Sequence, residues 1–188
     1  MSVFTQVTPL APIAASTIDA RVGRVPDEII EAWREHGAGY LSDDGFVRLI
    51  DPDRADTMLE GVIGFPEGAT VVFATGLGDL IAYVAGRWWV VLFRWGTIDV
   101  TEVDVTDAFL SIIQSDAGQD RFLERQPYPA AAMREHIPGV DQCFGFVPLL
   151  ALGGPPTADH LQLGGLWEHI ALIVQLAGPP QPRGQLAL

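Results

Sequence analysis

The sequence predicts an α+β fold, in which an antiparallel β-meander sheet carries helices packed at one face and at the ends. Three observations carry that reading. Between residues 70 and 103 lie four β-branched or aromatic runs, joined by short glycine-containing connections that permit only antiparallel neighbours. On either side of this block, apolar residues recur at three and four, the helical period. The composition, 48% apolar and 19% charged over 188 residues, supplies a core and excludes a disordered chain.

Taken in order, residues 1–24 hold Pro9 and Pro12 and no clear period, so an irregular lead-in is expected. The run VPDEIIEAWREHG reads as the first helix. Pro26 suits a first helical position, and Asp27 and Glu28 complement the positive helix start. Ile29, Ile30 and Trp33 share one face, and Gly37 is the stop signal. After the Asp43-Asp44-Gly45 turn comes a short strand, 46–50. Asp51-Pro52-Asp53 then starts a second helix with Met58 and Leu59 inward. The meander strands are expected at 70–75, 80–84, 88–95 and 98–103. The third is apolar at both alternating positions and so central, while Ile98, Val100 and Val103 face inward near an edge.

Beyond the meander, Thr106 is the expected N-cap of a helix with the stripe Phe109, Leu110, Ile112 and Ile113. Pro129 opens another helix, closed by Pro138-Gly139, and 143–154 reads as a buried strand or extended segment. The last helix carries Leu163, Leu166, Trp167, Ile170, Ile173, Val174 and Ala177 on one face, and a flexible tail follows Gly178.

Charge and residue usage narrow the function classes. Acids outnumber bases 24 to 11, for a net charge of −13, and every base is arginine. Such a surface disfavours direct binding to nucleic acid or anionic lipid, which need clustered cations, and favours a basic partner. One cysteine, Cys143, excludes an intramolecular disulfide and a multi-thiolate zinc site. No apolar run approaches the roughly 20 residues of a spanning helix, and no cation precedes the apolar start as in a secretory signal. The expected setting is a reducing cytoplasm, without membrane contact.

The candidate motifs for chemistry in this sequence fit structural roles better. Gly76-Leu77-Gly78-Asp79 follows a strand, but position 81 is Ile and a second strand follows, so a hairpin turn is favoured over a dinucleotide loop. His36, His136, His160 and His169 form no metal-spaced pair; His169 reads as a surface partner of Glu168. Cys143 reads as a buried small hydrophobe. Ser2, Ser16, Ser42, Ser111 and Ser115 lie in no nucleophile elbow. Asp43/Asp44 and Asp51/Asp53 fit turns and helix starts better than calcium loops. The expectation is therefore no catalytic residue, no cofactor and no metal. The signal left is acidic: Asp99, Glu102, Asp104, Asp107, Asp116 and Asp120 lie in 22 residues without a base. They are the candidate partner-binding residues, with a purely solubilising face as the alternative.

Two stretches resemble known families. The run VPDEIIEAWREHGAGYLSDDGFVRLIDPD resembles the opening of GAD-related domains, where a short helix leads through a glycine-rich turn to a strand and an apolar-Asn/Asp-Pro-Asp/Glu motif. FATGLGDLIAY followed by RWWVVLFRWG resembles the same family's meander. The run DQCFGFVPLLALGGPPTADHLQLGGLWEHIALIVQLAG resembles the C-terminal domain of type VI secretion immunity proteins that neutralise a DNase effector. Its marks are the CFG…LALGG core at 143–154 and the EH-containing helix at 168–176.

These resemblances divide the chain into a lead-in (1–24), a GAD-related region (25–115), an immunity-protein-like region (116–178) packed on the same globule, and a tail (179–188). They imply an immunity protein that binds a cognate nuclease toxin, whose basic groove the acidic surface would attract. The alternatives are a small-ligand-binding or hydrolytic enzyme using Asp79, Glu168 or His169 in a cleft between sheet and last helix, and an interaction module with a non-toxin partner.

Overall fold

The computed structural model describes Phe4 and residues 7–186. The parts of the expected lead-in and tail at 1–3, 5–6 and 187–188 lie outside the described residues. Local signals place the first long elements. Helix α2 (Asp27–His36) begins after Pro26 with Asp27 and Glu28 in its first turn, and Gly37 ends it at φ 71. A side chain at Gly37 would also overlap the Ala11 carbonyl, so glycine is required there twice over. In α3 (Pro52–Leu59), the Asp51 side chain accepts from the Asp53 and Arg54 amides, and Pro52 opens the helix.

The meander forms as β4 (Thr70–Thr75), β5 (Leu80–Val84), β6 (Arg87–Leu92) and β7 (Thr97–Thr101), each antiparallel to the next. Ala85 and Gly86 link β5 to β6 at φ 50 and 77, the positive pair that a tight hairpin of right-handed twist needs. The expected third strand, 88–95, stops at Leu92, because residues 93–95 turn as one 3-10 unit into left-handed Gly96.

The sheet is larger than its meander. Strands β1 (Thr8–Ala11), β2 (Ala38–Tyr40) and β3 (Val47–Leu49) extend it on one side, and β10 (Gln181–Leu186) on the other. The order is β1-β2-β3-β4-β5-β6-β7-β10. Residues expected to be an irregular lead-in therefore supply β1 and α1 (Ala15–Asp19), and the expected tail supplies β10, parallel to β7. Strand β7 is not an edge, and Val103 lies beyond it, 45% exposed.

Period-2 alternation explains the layering. Ile81, Trp88, Val90 and Leu92 join a cluster with Ile29, Ile30 and Trp33 of α2 and Phe109, Leu110 and Ile113 of α4 (Thr106–Ile113). Trp88 stacks on Phe109 at 4.9 Å and 15°. The alternate residues Leu80, Ala82 and Val91 join a second cluster with Ala55 and Leu59 of α3. Leu166, Trp167, Ile170 and Ile173 of α7 (Leu166–Ala177) complete it. Helices thus cover both faces of the sheet, not one face and the ends.

The C-terminal half differs in several details. Thr106 is the first residue of α4, not its cap, and Val105 caps without a side-chain bond. A helix not foreseen, α5 (Asp116–Phe122), is capped by Ser115, whose hydroxyl accepts from the Gly118 amide at 3.1 Å. Helix α6 (Tyr128–Arg134) ends before the Pro138-Gly139 stop. Residues 143–154 split into β8 (Gln142–Phe146) and a 3-10 turn, with Leu152 60% exposed. Leu163 belongs not to the last helix but to β9 (Leu161–Gly165), which pairs with β8. Strand β8 abuts the β4–β5 turn, where the Phe144 amide donates to the Gly76 carbonyl at 2.8 Å.

Candidate interaction surface

The six acidic residues read from sequence do not form one free cluster. Asp99 sits on β7 and is 4% exposed. Arg183 of β10 grips it with both arms of its guanidinium: Nε donates to Oδ1 at 3.0 Å, and Nη2 donates to Oδ2. Asp99 is thus neutralised by a residue 84 positions away and is not open to a partner in this conformation. Asp116 and Asp120 lie 3.7 and 3.9 Å from Arg125, so they too have a nearby base. Glu102, Asp104 and Asp107 remain exposed around the start of α4.

What the fold builds around α4 is a groove. At one end, a hollow of about 480 Å³ is lined by Arg24, Glu28, Tyr83, Asp104 and Asp107, where the β5–β6 hairpin meets the α2 start. The Asp104 amide donates to the Gly86 carbonyl at 3.2 Å and holds the Asp104 backbone at φ 61. A second hollow shares Asp107 and runs along Ser111, Gln114 and Ser115. A third shares Gln114 and is lined by Ser42, Asp43, Asp44, Asp116 and Arg125. The three adjoin at these shared residues and follow one another along α4, whose eight residues span about 12 Å.

The groove's electrostatics are acidic at both ends. Burial pushes the Asp44 carboxyl up, but hydrogen bonds from Ser42 and Arg125 outweigh it and hold the carboxyl below its usual value. Asp44 therefore stays ionised while fixing Arg125. Asp43 and Asp44 serve the turn, and Glu28 the helix start, that the sequence predicts, and these residues also line the groove. Only the chain's path from residue 28 to 116 joins them, and no spacing signals it.

The residues of the enzyme alternative are placed as follows in the fold. Asp79 is fully buried, with Arg94 Nη2 3.3 Å from its carboxylate, and burial raises its carboxyl to about 6 against the pull of that guanidinium. Arg94 also donates to the carbonyls of Leu123 at 2.7 Å and Glu124 at 3.2 Å, so the pair ties the β4–β5 turn to the end of α5. His169 is not a surface partner of Glu168. It is half-buried, with its ring against Gly78 and Gly145, and burial lowers its pKa. Glu168 is exposed, with its carboxylate folded back against Gly165 at the start of α7. Asp79, Glu168 and His169 do not converge on an open site. Cys143 is buried, and loss of solvent pushes its thiol up to about 12, which leaves it protonated and unreactive.

Sequence reasoning missed Arg48, which is fully buried in β3 and donates through Nη2 to the Gln142 carbonyl. Its place within an otherwise apolar run was the available signal. Among the described residues, no three His, Cys, Asp or Glu side chains are grouped to hold a metal ion, and no helix is long and apolar enough to cross a membrane.

Residues 105–177 match the family described as T6SS immunity protein Tdi1, C-terminal. This stretch runs from α4 through α7 and so contains Asp107, Ser111, Gln114, Asp116 and Arg125 of the groove. No curated protein matches the sequence. Among solved structures, the crystal structure of Atu4351 from Agrobacterium tumefaciens superposes with a TM-score of 0.78. It covers 96% of this chain and 89% of that one at 14% identity, which establishes a shared fold.

Proposed function

We propose that this chain is an immunity protein of the cytoplasm that binds and neutralises a cognate nuclease toxin of a type VI secretion system, with the groove along α4 as its docking surface. The match of residues 105–177 to the C-terminal part of a T6SS immunity protein carries this reading, because the helix that lines the groove lies inside the matched stretch. A nuclease groove shaped for a polyanion presents cations to its substrate. Glu28, Asp43, Asp104, Asp107 and Asp116 present carboxylates at both ends of a 12 Å helix, a spacing about that of a short stretch of nucleic-acid backbone. Long-range attraction between such surfaces speeds encounter and orients the partners.

Inhibition follows from occupancy. A toxin whose cationic groove is covered cannot hold nucleic acid, and the immunity protein needs no catalytic residue of its own. The N-terminal part, with its helix, glycine turn and Asp51-Pro52-Asp53 motif, we read as a GAD-related region serving as the platform for α4.

The test is to look for a nuclease-like reading frame adjacent to this gene and co-express it with the chain. The expected outcome is that cells survive, that the two proteins copurify, and that the purified chain suppresses DNA cleavage in proportion to its concentration. If no neighbouring nuclease exists, or if one copurifies yet still cuts DNA at full rate, the reading fails.

A further inference from the structure

We propose that β10 is an exchangeable strap: it occupies, as a built-in stand-in, the edge of β7 that takes an extended, arginine-bearing segment of a basic protein partner when β10 lifts away. The basic character of the partner rests on the function proposed above, while the exchange rests on the fold alone.

Strand β10 is held more loosely than the inner strands of the sheet. Five of its six residues are exposed, and Leu186 alone packs partly against a core cluster, whereas every residue of β4 is buried. It runs parallel to β7, beside strands that pair antiparallel. Pro182 brings no amide hydrogen to the ladder, and the register slips between Pro182 and Gly184. A strand with so little buried apolar surface opens far below the cost of global unfolding. The chain reaches it from α7 through left-handed Gly178 and then Pro179-Pro180, a short stiff hinge.

One side chain anchors it. Arg183 forks onto Asp99, with Glu124 3.9 Å from its Nη1. The asymmetry of this pair points to the roles. The Asp99 side chain is 6% exposed and fixed in the strand next to the edge, whereas that of Arg183 is 48% exposed on the outermost one. The carboxylate is the receptor and the arginine its removable occupant. With β10 lifted, β7 presents free backbone donors and acceptors, with Asp99 in the middle and Glu124 beside it. Such an edge recognises an extended strand through its backbone and selects a guanidinium through the carboxylate. Asp99, shielded in the closed form, becomes a partner contact in the open one.

The test uses the full chain in three forms, wild type, Arg183→Gln and Asp99→Asn, and a fluorescent peptide of residues 179–188 as the probe. Hydrogen exchange of the wild type should show amides 181–186 exchanging at least a hundredfold faster than those of 87–92. The peptide should bind Arg183→Gln at least tenfold more tightly than wild type, because the internal competitor is weakened. Asp99→Asn should bind it no better than it binds a peptide carrying Gln in place of the arginine. In the presence of the toxin, the peptide should compete.

Equal protection of β10 and β6, or peptide affinity indifferent to Asp99→Asn, would overturn the strap. Exchange measured on the wild type decides this even if a variant folds poorly. Peptide binding without competition against a bound toxin would overturn the assigned partner. Failure of the immunity reading would appear separately, as uninhibited DNA cleavage.

Discussion

Replacing Ile170 by Ala probes whether α7 is part of the core or an appended helix. Ile170 is fully buried on the inner face of α7, among Leu166, Trp167 and Ile173 and the sheet residues Leu80, Ala82 and Val91. The substitution removes three carbon groups, worth about 0.8 kcal/mol each in transfer free energy, or roughly 2.4 kcal/mol. Sheet and helix are pinned on both sides, so the site collapses only in part. A residual void of roughly 50 Å³ at ~24 cal/mol per Å³ adds about 1.2 kcal/mol. The expected cost is therefore about 3–4 kcal/mol. Urea denaturation followed by tryptophan fluorescence should show the midpoint falling by more than about 1 M, for a slope of roughly 2–3 kcal/mol per M. Leu172→Ala on the same helix, at a side chain 45% exposed, should shift the midpoint far less. Equal shifts for the two variants would refute the packing of α7 on the sheet.

Three further outcomes are expected. Neutralising Glu102, Asp104, Asp107 and Asp116 together to Gln or Asn should slow association with the toxin about tenfold or more at low salt and flatten its salt dependence, read by stopped-flow fluorescence. Unchanged association would place the interface elsewhere. A side chain at Gly76 would overlap the Tyr128 ring, so Gly76→Ala should lower stability by about 1–3 kcal/mol in the same urea assay. A neutral result would show that the turn and α6 are not in close contact. The buried Asp79 carboxyl takes up its proton below about 6, but in the unfolded chain only near 3.8. Between those values the folded state binds more protons, so wild-type stability should rise relative to Asp79→Asn as pH falls from about 6 toward 4. Denaturation midpoints of both proteins across that range check the sign, and a difference constant with pH would contradict it.

The parts legible in the sequence are those with a local cause. Alternation at 80–92 named the central strands, and glycine with its permissive φ marked the turns at 78, 86 and 96. A proline-acid start and a glycine stop bounded α2, and the Asp51 cap began α3. The inward stripe of α7 followed from the helical period alone. Of the groove, the sequence disclosed the carboxylates of Asp104, Asp107 and Asp116, but not the hollows they line.

The rest depended on contacts between distant residues. QPRGQL has no apolar period, and it becomes β10 only because β7 offers an open edge and Asp99 an unpaired carboxylate. Thr8–Ala11 becomes β1 by pairing with β2, which its own residues do not announce. Folding also turned an apparently uncompensated acidic run into two populations, one base coming from far along the chain and one from just beyond the run. Arg183 closes over Asp99 from the far end of the chain, and Arg125 reaches Asp116 and Asp120, while Glu102, Asp104 and Asp107 stay open to solvent. Periodicity and turn chemistry act over a few residues and can be read along the chain. Charge neutralisation and edge pairing act through space, where partners are chosen by the folded path rather than by separation in sequence.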